Sequence, residues 1–107
     1  MALQFLVKCG YRCMAKRFRR PGGEIDLVLR RGDILVFVEV KIRGPGSLAP
    51  AEYWVHPRQL QRMRRLARVW LSEGGGCPPG GCRFDVVAID FAGEDEGLSL
   101  RHHVGVG

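Results

Sequence analysis

The chain has 107 residues, enough for one hydrophobic core and too few for two. Seventeen Lys and Arg against eleven Asp and Glu leave a formal charge of +6, which favours a polyanionic partner, nucleic acid before anionic membrane. No apolar run approaches the roughly 18 residues of a membrane span, and Leu3-Gln4-Phe5-Leu6-Val7 is too short for a signal-peptide core, so a cytoplasmic protein with no membrane contact is expected.

Ala2 to Lys8 reads as the end of an amphipathic helix, with Leu3, Leu6 and Val7 on one face and Gly10 past its C-terminus. Tyr11 to Met14 is expected as a short strand. The basic cluster Lys16-Arg17-Phe18-Arg19-Arg20 then ends in the turn Pro21-Gly22-Gly23. Two strand-like runs follow. Gly23 to Leu29 alternates acidic and apolar residues, and Asp33 to Ile42 is rich in β-branched residues. Arg31-Gly32 between them suits a two-residue hairpin turn. A loop opens at Arg43-Gly44-Pro45-Gly46, and Pro57 fits the first turn of a helix running to about Glu73. On that helix Leu60, Met63, Leu66, Ala67, Trp70 and Leu71 form one apolar arc. The glycine- and proline-rich stretch Gly74 to Gly81 ends it. Arg83 to Phe91 is a third long strand, Gly93 to Gly97 an acidic turn and Leu98 to His103 a short last strand, with residues 104–107 a frayed tail. The order implies one α/β domain over residues 1–107.

The chemistry lies in charges placed among buried-strand residues. Pairing outward from Arg31-Gly32 sets Arg30 opposite Asp33, Leu27 opposite Val36, Asp26 opposite Phe37 and Glu24 opposite Glu39. Opposed residues share a face, so Glu24, Asp26 and Glu39 are expected to converge, with Lys41 just beyond. Desolvating such charges costs free energy unless partners or a metal compensate. A hard divalent ion, Mg²⁺ or Mn²⁺, suits the cluster, since it is commonly held by one or two carboxylates with water and substrate phosphate completing its shell. The competing interpretation is a surface salt-bridge ladder, yet surface ion pairs rarely sit between valines.

Arg58, Arg62, Arg64, Arg65 and Arg68 line the polar side of the long helix. Phosphate contacts are expected from Arg58, Arg62 and Arg65, together with Lys16, Arg17, Arg19, Arg20 and Arg43, because such contacts give sequence-independent attraction to a nucleic-acid backbone. A solvated helix face is the plainer alternative. Phe18 and Trp54 are read as packing residues. Cys9 and Cys13 have three residues between them and Cys77 and Cys82 four, a poor match to tight zinc knuckles, so reduced thiols are expected. His56, His102 and His103 are expected at the surface.

Gly23-Glu24-Ile25-Asp26-Leu27, Val36-Phe37-Val38-Glu39-Val40-Lys41-Ile42-Arg43 and Arg83-Phe84-Asp85-Val86-Val87, in that order, resemble the signature blocks of the YraN-like family of the PD-(D/E)XK nuclease superfamily, which is related to the Holliday-junction resolvases. The resemblance implies a restriction-endonuclease-like fold, with a central mixed sheet that contains an antiparallel hairpin and is flanked by helices. It implies Asp26, Glu39 and the Val40 carbonyl as ligands of Mg²⁺ or Mn²⁺, Lys41 as the catalytic lysine, and hydrolysis of DNA, branched or otherwise structured. Glu24 would bind a second ion or its water shell. Dimeric resolvases imply a homodimer, although no interface is legible. Two departures keep a catalytically inactive nucleic-acid-binding module as the alternative. Family members carry a longer first helix with a Gly-Glu pair ahead of the position of Ala2, so the N-terminal helix is expected to be truncated here. They also carry a lysine in the first turn of the long helix, where this chain has Arg58 and Gln59.

Overall fold

The run richest in β-branched residues becomes the middle of the sheet. In the computed structural model, which describes residues 2–43, 57–74, 76–91 and 98–106, Ile34–Arg43 forms strand β3. Before it come helix α1 (Ala2–Lys8) and strands β1 (Arg12–Arg20) and β2 (Gly23–Arg31). After it come helix α2 (Pro57–Gly74) and strands β4 (Cys82–Phe91) and β5 (Leu98–His103). The strands form one sheet in the order β1-β2-β3-β4-β5, with β3 and β4 parallel and the other neighbours antiparallel. A parallel pair requires a crossover connection, and α2 lies within it.

Each face of the sheet carries one helix. Leu6 of α1 packs with Tyr11, Leu27, Leu29, Val36, Val38, Val87 and Ile89. On the opposite face Met63, Leu66 and Ala67 of α2 pack with Phe18, Ile25, Val28, Leu35 and Phe37. Successive residues of β3 therefore feed opposite cores, which is why Val36, Phe37 and Val38 are all fully buried. The expected apolar arc of α2 is the one that packs, Leu60, Trp70 and Leu71 lying at its margin. The Trp70 ring meets Phe18 edge-on at 5.2 Å, so Phe18 is a core residue.

Two local expectations are corrected. The β2–β3 turn is Gly32-Asp33, with Gly32 at φ 61°, a conformation costly for residues that carry a Cβ. Arg31 faces Ile34 and Leu27 faces Val38, two residues along from the expected register. Strand β1 does not stop at Met14 but continues through Lys16 to Arg20, with a bulge between Cys13 and Ala15. Its charges fit an exposed edge strand, where they oppose pairing with other chains. Residues 44–56, including Trp54 and His56, and the turn expected at 93–97 lie outside the described residues.

A buried ion pair fastens the far edge. Asp85, fully buried, accepts from Arg83 Nε and Nη2, each at 2.9 Å, and from the Gly105 N–H at 3.0 Å, and lies 2.7 Å from His102 Nε2. Arg83 Nη2 also donates to the Tyr11 hydroxyl at 2.5 Å, joining β4 to the residue that follows α1. His102 is thus not the surface residue expected: its side chain is only 14% exposed. Residues 104–106, expected to fray, are tied down by the Gly105 bond and by Val106 N–H donating to Phe84 O at 2.8 Å. Burial alone would push the Asp85 carboxyl up; the bonds from Arg83, Gly105 and His102 outweigh it and hold the group below the usual range. Its contribution to stability is therefore present above the ordinary aspartate range and fades only as pH falls through the lowered value. Asp85→Asn is expected to cost on the order of 2–3 kcal/mol, discounted from a fully buried pair because Arg83 keeps solvent contact, and to lower the melting temperature by about 10 °C at pH 7. An unchanged thermal melt would show that this edge is held by packing alone.

Candidate functional site

The β2–β3 ladder ends at Leu27 and Val38. One step further the same register would set Asp26 against Glu39, two carboxylates face to face, which is unfavourable. Asp26 instead accepts a hydrogen bond from the backbone N–H of Val40 at 2.7 Å. β3 continues to Arg43 by pairing with β4 on its other edge, so β2 and β3 part beside the acids while β3 stays anchored. Asp26 lines a cavity of about 370 Å³ with Arg17, Leu27, Val40, Ile42, Ile89, Ala2 and Leu3. Glu39 keeps the orientation of Phe37, toward α2. Lys41 follows two residues on, its Nζ 3.4 Å from Glu39 Oε1, and both side chains are 17% exposed.

Both carboxyls are reluctant to ionise. Burial is the main reason for Asp26; the Val40 N–H opposes it, the negative charge of Glu24 adds to it, and Lys41 and Arg17 offset it in part. Burial also dominates at Glu39, reinforced by the charge of Asp26 and opposed by Lys41 and then Arg62. Asp26, Glu39 and Lys41 thus form one electrostatic unit, and Arg17 and Arg62 reach it. Two half-buried acids that raise their own protonation suit a divalent cation, which would relieve the desolvation that burial imposes.

Glu24, expected to converge with them, acts on Asp26 through its charge while its carboxylate is engaged elsewhere. It faces Arg19 across β1–β2 and bonds Arg19 Nε at 2.6 Å. The described residues hold no group of three or more acids, histidines or cysteines arranged to bind a metal. Val40 enters through its amide, which serves Asp26. The expected phosphate-binding residues divide similarly. Arg19 is taken by Glu24, Arg20 is paired with Glu73 and lies over the Phe18 ring, and Arg65 donates to the Gly22 carbonyl at 3.2 Å. Gly22, at φ 99°, lets the hairpin tip come under that arginine. Arg58 and Arg62 of α2 and Lys16 and Arg17 of β1 are exposed, and Arg43 closes β3 with its side chain outside the described residues. The cysteines are free; Cys77 and Cys82 bring their sulfurs to 3.3 Å, and burial, then the Cys77 contact, pushes the Cys82 thiol up to about 11.

The Asp85 network escaped sequence reasoning, and so did the place of Arg17, expected as one of several phosphate-binding residues of β1 but not beside Asp26. Asp85 had a signal, since Arg83 and Asp85 lie two apart on a strand and share a face. Nothing in the sequence set Arg17 apart from the like charges around it.

Raised carboxyl values have a defined consequence. The folded protein holds these protons more tightly than the unfolded chain does, so the two acids favour folding in acid, and that contribution is lost as pH rises through their raised values. Asp26→Asn keeps an acceptor for Val40 and removes the charge. In metal-free buffer at pH 7 it is expected to melt a few degrees above the parent, the gap closing toward the ordinary aspartate value of about 3.9. A variant that melts lower at pH 7 would show that the charge itself stabilises the fold.

Among the described residues no helix is long and apolar enough to cross a membrane. The family model of the uncharacterised protein family UPF0102 matches residues 1–89, a span that holds all three signature blocks. A UPF0102 protein of Streptomyces griseus is 44% identical over 90 residues, 83% of this chain and 75% of its own length. One of Rhodopseudomonas palustris is 48% identical over 88 residues, 82% of this chain and 64% of its own. One of Symbiobacterium thermophilum is 44% identical over 101 residues, 94% and 83% respectively. The chain is thus a member of the UPF0102, or YraN-like, family.

Proposed function

We propose that this chain is a divalent-metal-dependent nuclease that hydrolyses phosphodiesters in structured DNA, on a restriction-endonuclease-like version of its α/β fold. The observation that carries the reading is the coupling of charge where β2 and β3 part. The half-buried Glu39 feels the charges of Asp26 and Lys41, the half-buried Asp26 feels that of Lys41, and Lys41 Nζ lies 3.4 Å from Glu39 Oε1. Asp26, Glu39 and the Val40 carbonyl would hold Mg²⁺ or Mn²⁺, which when bound lowers the pKa of water and polarises the scissile phosphate. Lys41 orients the attacking water and offers positive charge to the phosphate oxygens as charge builds on them. Asp26 also fixes the backbone of Val40, so the strand that carries Glu39 and Lys41 presents them in one position. Arg58 and Arg62 supply sequence-independent attraction to the strand. A homodimer would let two strands be cut symmetrically.

The engagement of Glu24 by Arg19 favours the second reading, a nucleic-acid-binding module without activity, because it leaves two acids where three were expected. Cleavage assays on duplex, flap and four-way-junction DNA with Mn²⁺ separate the two. Wild-type protein is expected to nick at least one substrate. Lys41→Ala is expected to retain DNA binding while losing about 100-fold or more in kcat, as loss of one charge-stabilising donor does elsewhere. Binding without cleavage by the wild type would favour the inactive module, and equal activity in Lys41→Ala would remove that residue from the chemistry.

A further inference from the structure

Among the described residues Arg17 is the one non-glycine residue at positive φ, 50°. The left-handed region presses Cβ against the backbone, a cost that glycine escapes and that asparagine and aspartate tolerate best. Strain of this kind persists where the surroundings impose it, and it concentrates at functional positions.

The position of the strain is specific. Lys16 pairs with Leu27 and Phe18 with Ile25, so Arg17 stands opposite Asp26. Residues two apart on a strand ordinarily share a face. Here Ile25 packs with α2 while Leu27 packs with α1, so β2 reverses its facing across Asp26 at the point where β1 carries its left-handed residue. One twist thus brings Asp26 and Arg17 to the same cavity, which both side chains line together with Val40.

Arg17 differs from its neighbours in what it does with its charge. Arg19 and Arg20 each bond a carboxylate. No hydrogen bond or ion pair with a described residue engages the exposed Arg17 guanidinium, although its charge reaches the Asp26 carboxylate. A planar guanidinium with free donors beside a site that handles phosphodiesters is suited to bidentate contact with phosphate oxygens.

We propose that Arg17 is a binding residue of this site, held at a backbone cost so that its guanidinium grips a phosphate of the nucleic-acid strand lying at Asp26. The inference rests on the nucleic-acid reading above but not on hydrolysis. It differs from a diffuse basic patch, in which any arginine of β1 would serve equally.

The test compares Arg17→Asn, Arg17→Lys and Arg12→Asn in metal-free buffer, by thermal melting and by fluorescence anisotropy of a labelled DNA duplex over a range of salt. Arg17→Asn eases the backbone and removes the donors, whereas Arg12→Asn removes the same charge from an exposed position on the same strand. Arg17→Asn is expected to melt no lower than the wild type. It should bind about tenfold more weakly, with a salt slope shallower by about 0.9, while Arg12→Asn loses much less and Arg17→Lys keeps part of the affinity. Equal losses in Arg17→Asn and Arg12→Asn would overturn the inference, as would an absence of duplex binding by the wild type. A melt several degrees lower in Arg17→Asn would also overturn it, making Arg17 a structural counter-charge of Asp26. If the wild type binds in this pattern but never cleaves with Mn²⁺, the hydrolytic reading fails and this one stands. If it cleaves and Arg17→Asn binds and cleaves equally, this one fails alone.

Discussion

Much of this molecule turns on one hydrogen bond, from the Val40 N–H to the Asp26 carboxylate. A central strand that loses a neighbour leaves backbone groups in need of partners, and an unsatisfied buried N–H is costly. β3 loses β2 beyond Val38, yet it continues to Arg43 against β4. Asp26 supplies the acceptor at the first place where it is required. The carboxylate stands in for a strand, so β2 can diverge without β3 fraying. The gap so made lets an acid, a backbone amide and the cavity wall meet. Glu39 and Lys41 inherit their placement from the same anchored strand.

The sheet holds two kinds of acid. Asp85 is surrounded by donors on every side and stays ionised despite full burial. Asp26 has one backbone donor and Glu39 one ammonium at 3.4 Å, and for both, burial wins. That difference separates an acid that fastens a fold from acids left short of partners. Groups left short are the ones that accept a cation or a proton from outside, which is why perturbed carboxyls gather at working sites. The partners decide, since both kinds of acid stand between apolar residues, Ile25-Asp26-Leu27 and Phe84-Asp85-Val86.

Periodicity made much of this fold legible. The arc Met63, Leu66, Ala67 on α2 and the doubly apolar β3 were readable because burial imposes their spacing. The hairpin register was not, since Arg31-Gly32 and Gly32-Asp33 both serve as two-residue turns and differ only in the backbone that Gly32 adopts. The error moved partners by two residues, which leaves the facing of every side chain unchanged. Glu39 and Lys41, two apart on one strand, share a face in either register, while Glu24 was assigned to the wrong neighbour. Alternation also hid the reversal at Asp26: Ile25 and Leu27 read as one face and occupy two. A left-handed arginine leaves no mark on composition.

The same distinction applies to the positive charge. A net charge of +6 suggests a uniform basic surface, but Arg19, Arg20, Arg65 and Arg83 are committed to partners within the fold. An arginine already bonded to a carboxylate must break that bond to hold a phosphate, so it adds to the long-range field more than to affinity. Arg17 and Arg62, whose charges reach Asp26 and Glu39 respectively, come from different elements, β1 and α2, and converge on the parted strands. Arg17 and Arg62 thus leave uncommitted positive charge beside the acids, in addition to the exposed Lys16 and Arg58. On the nucleic-acid reading proposed above, a strand drawn in by that field would meet the charges of Arg17 and Arg62 beside Asp26 and Glu39, so that binding and hydrolysis would share residues.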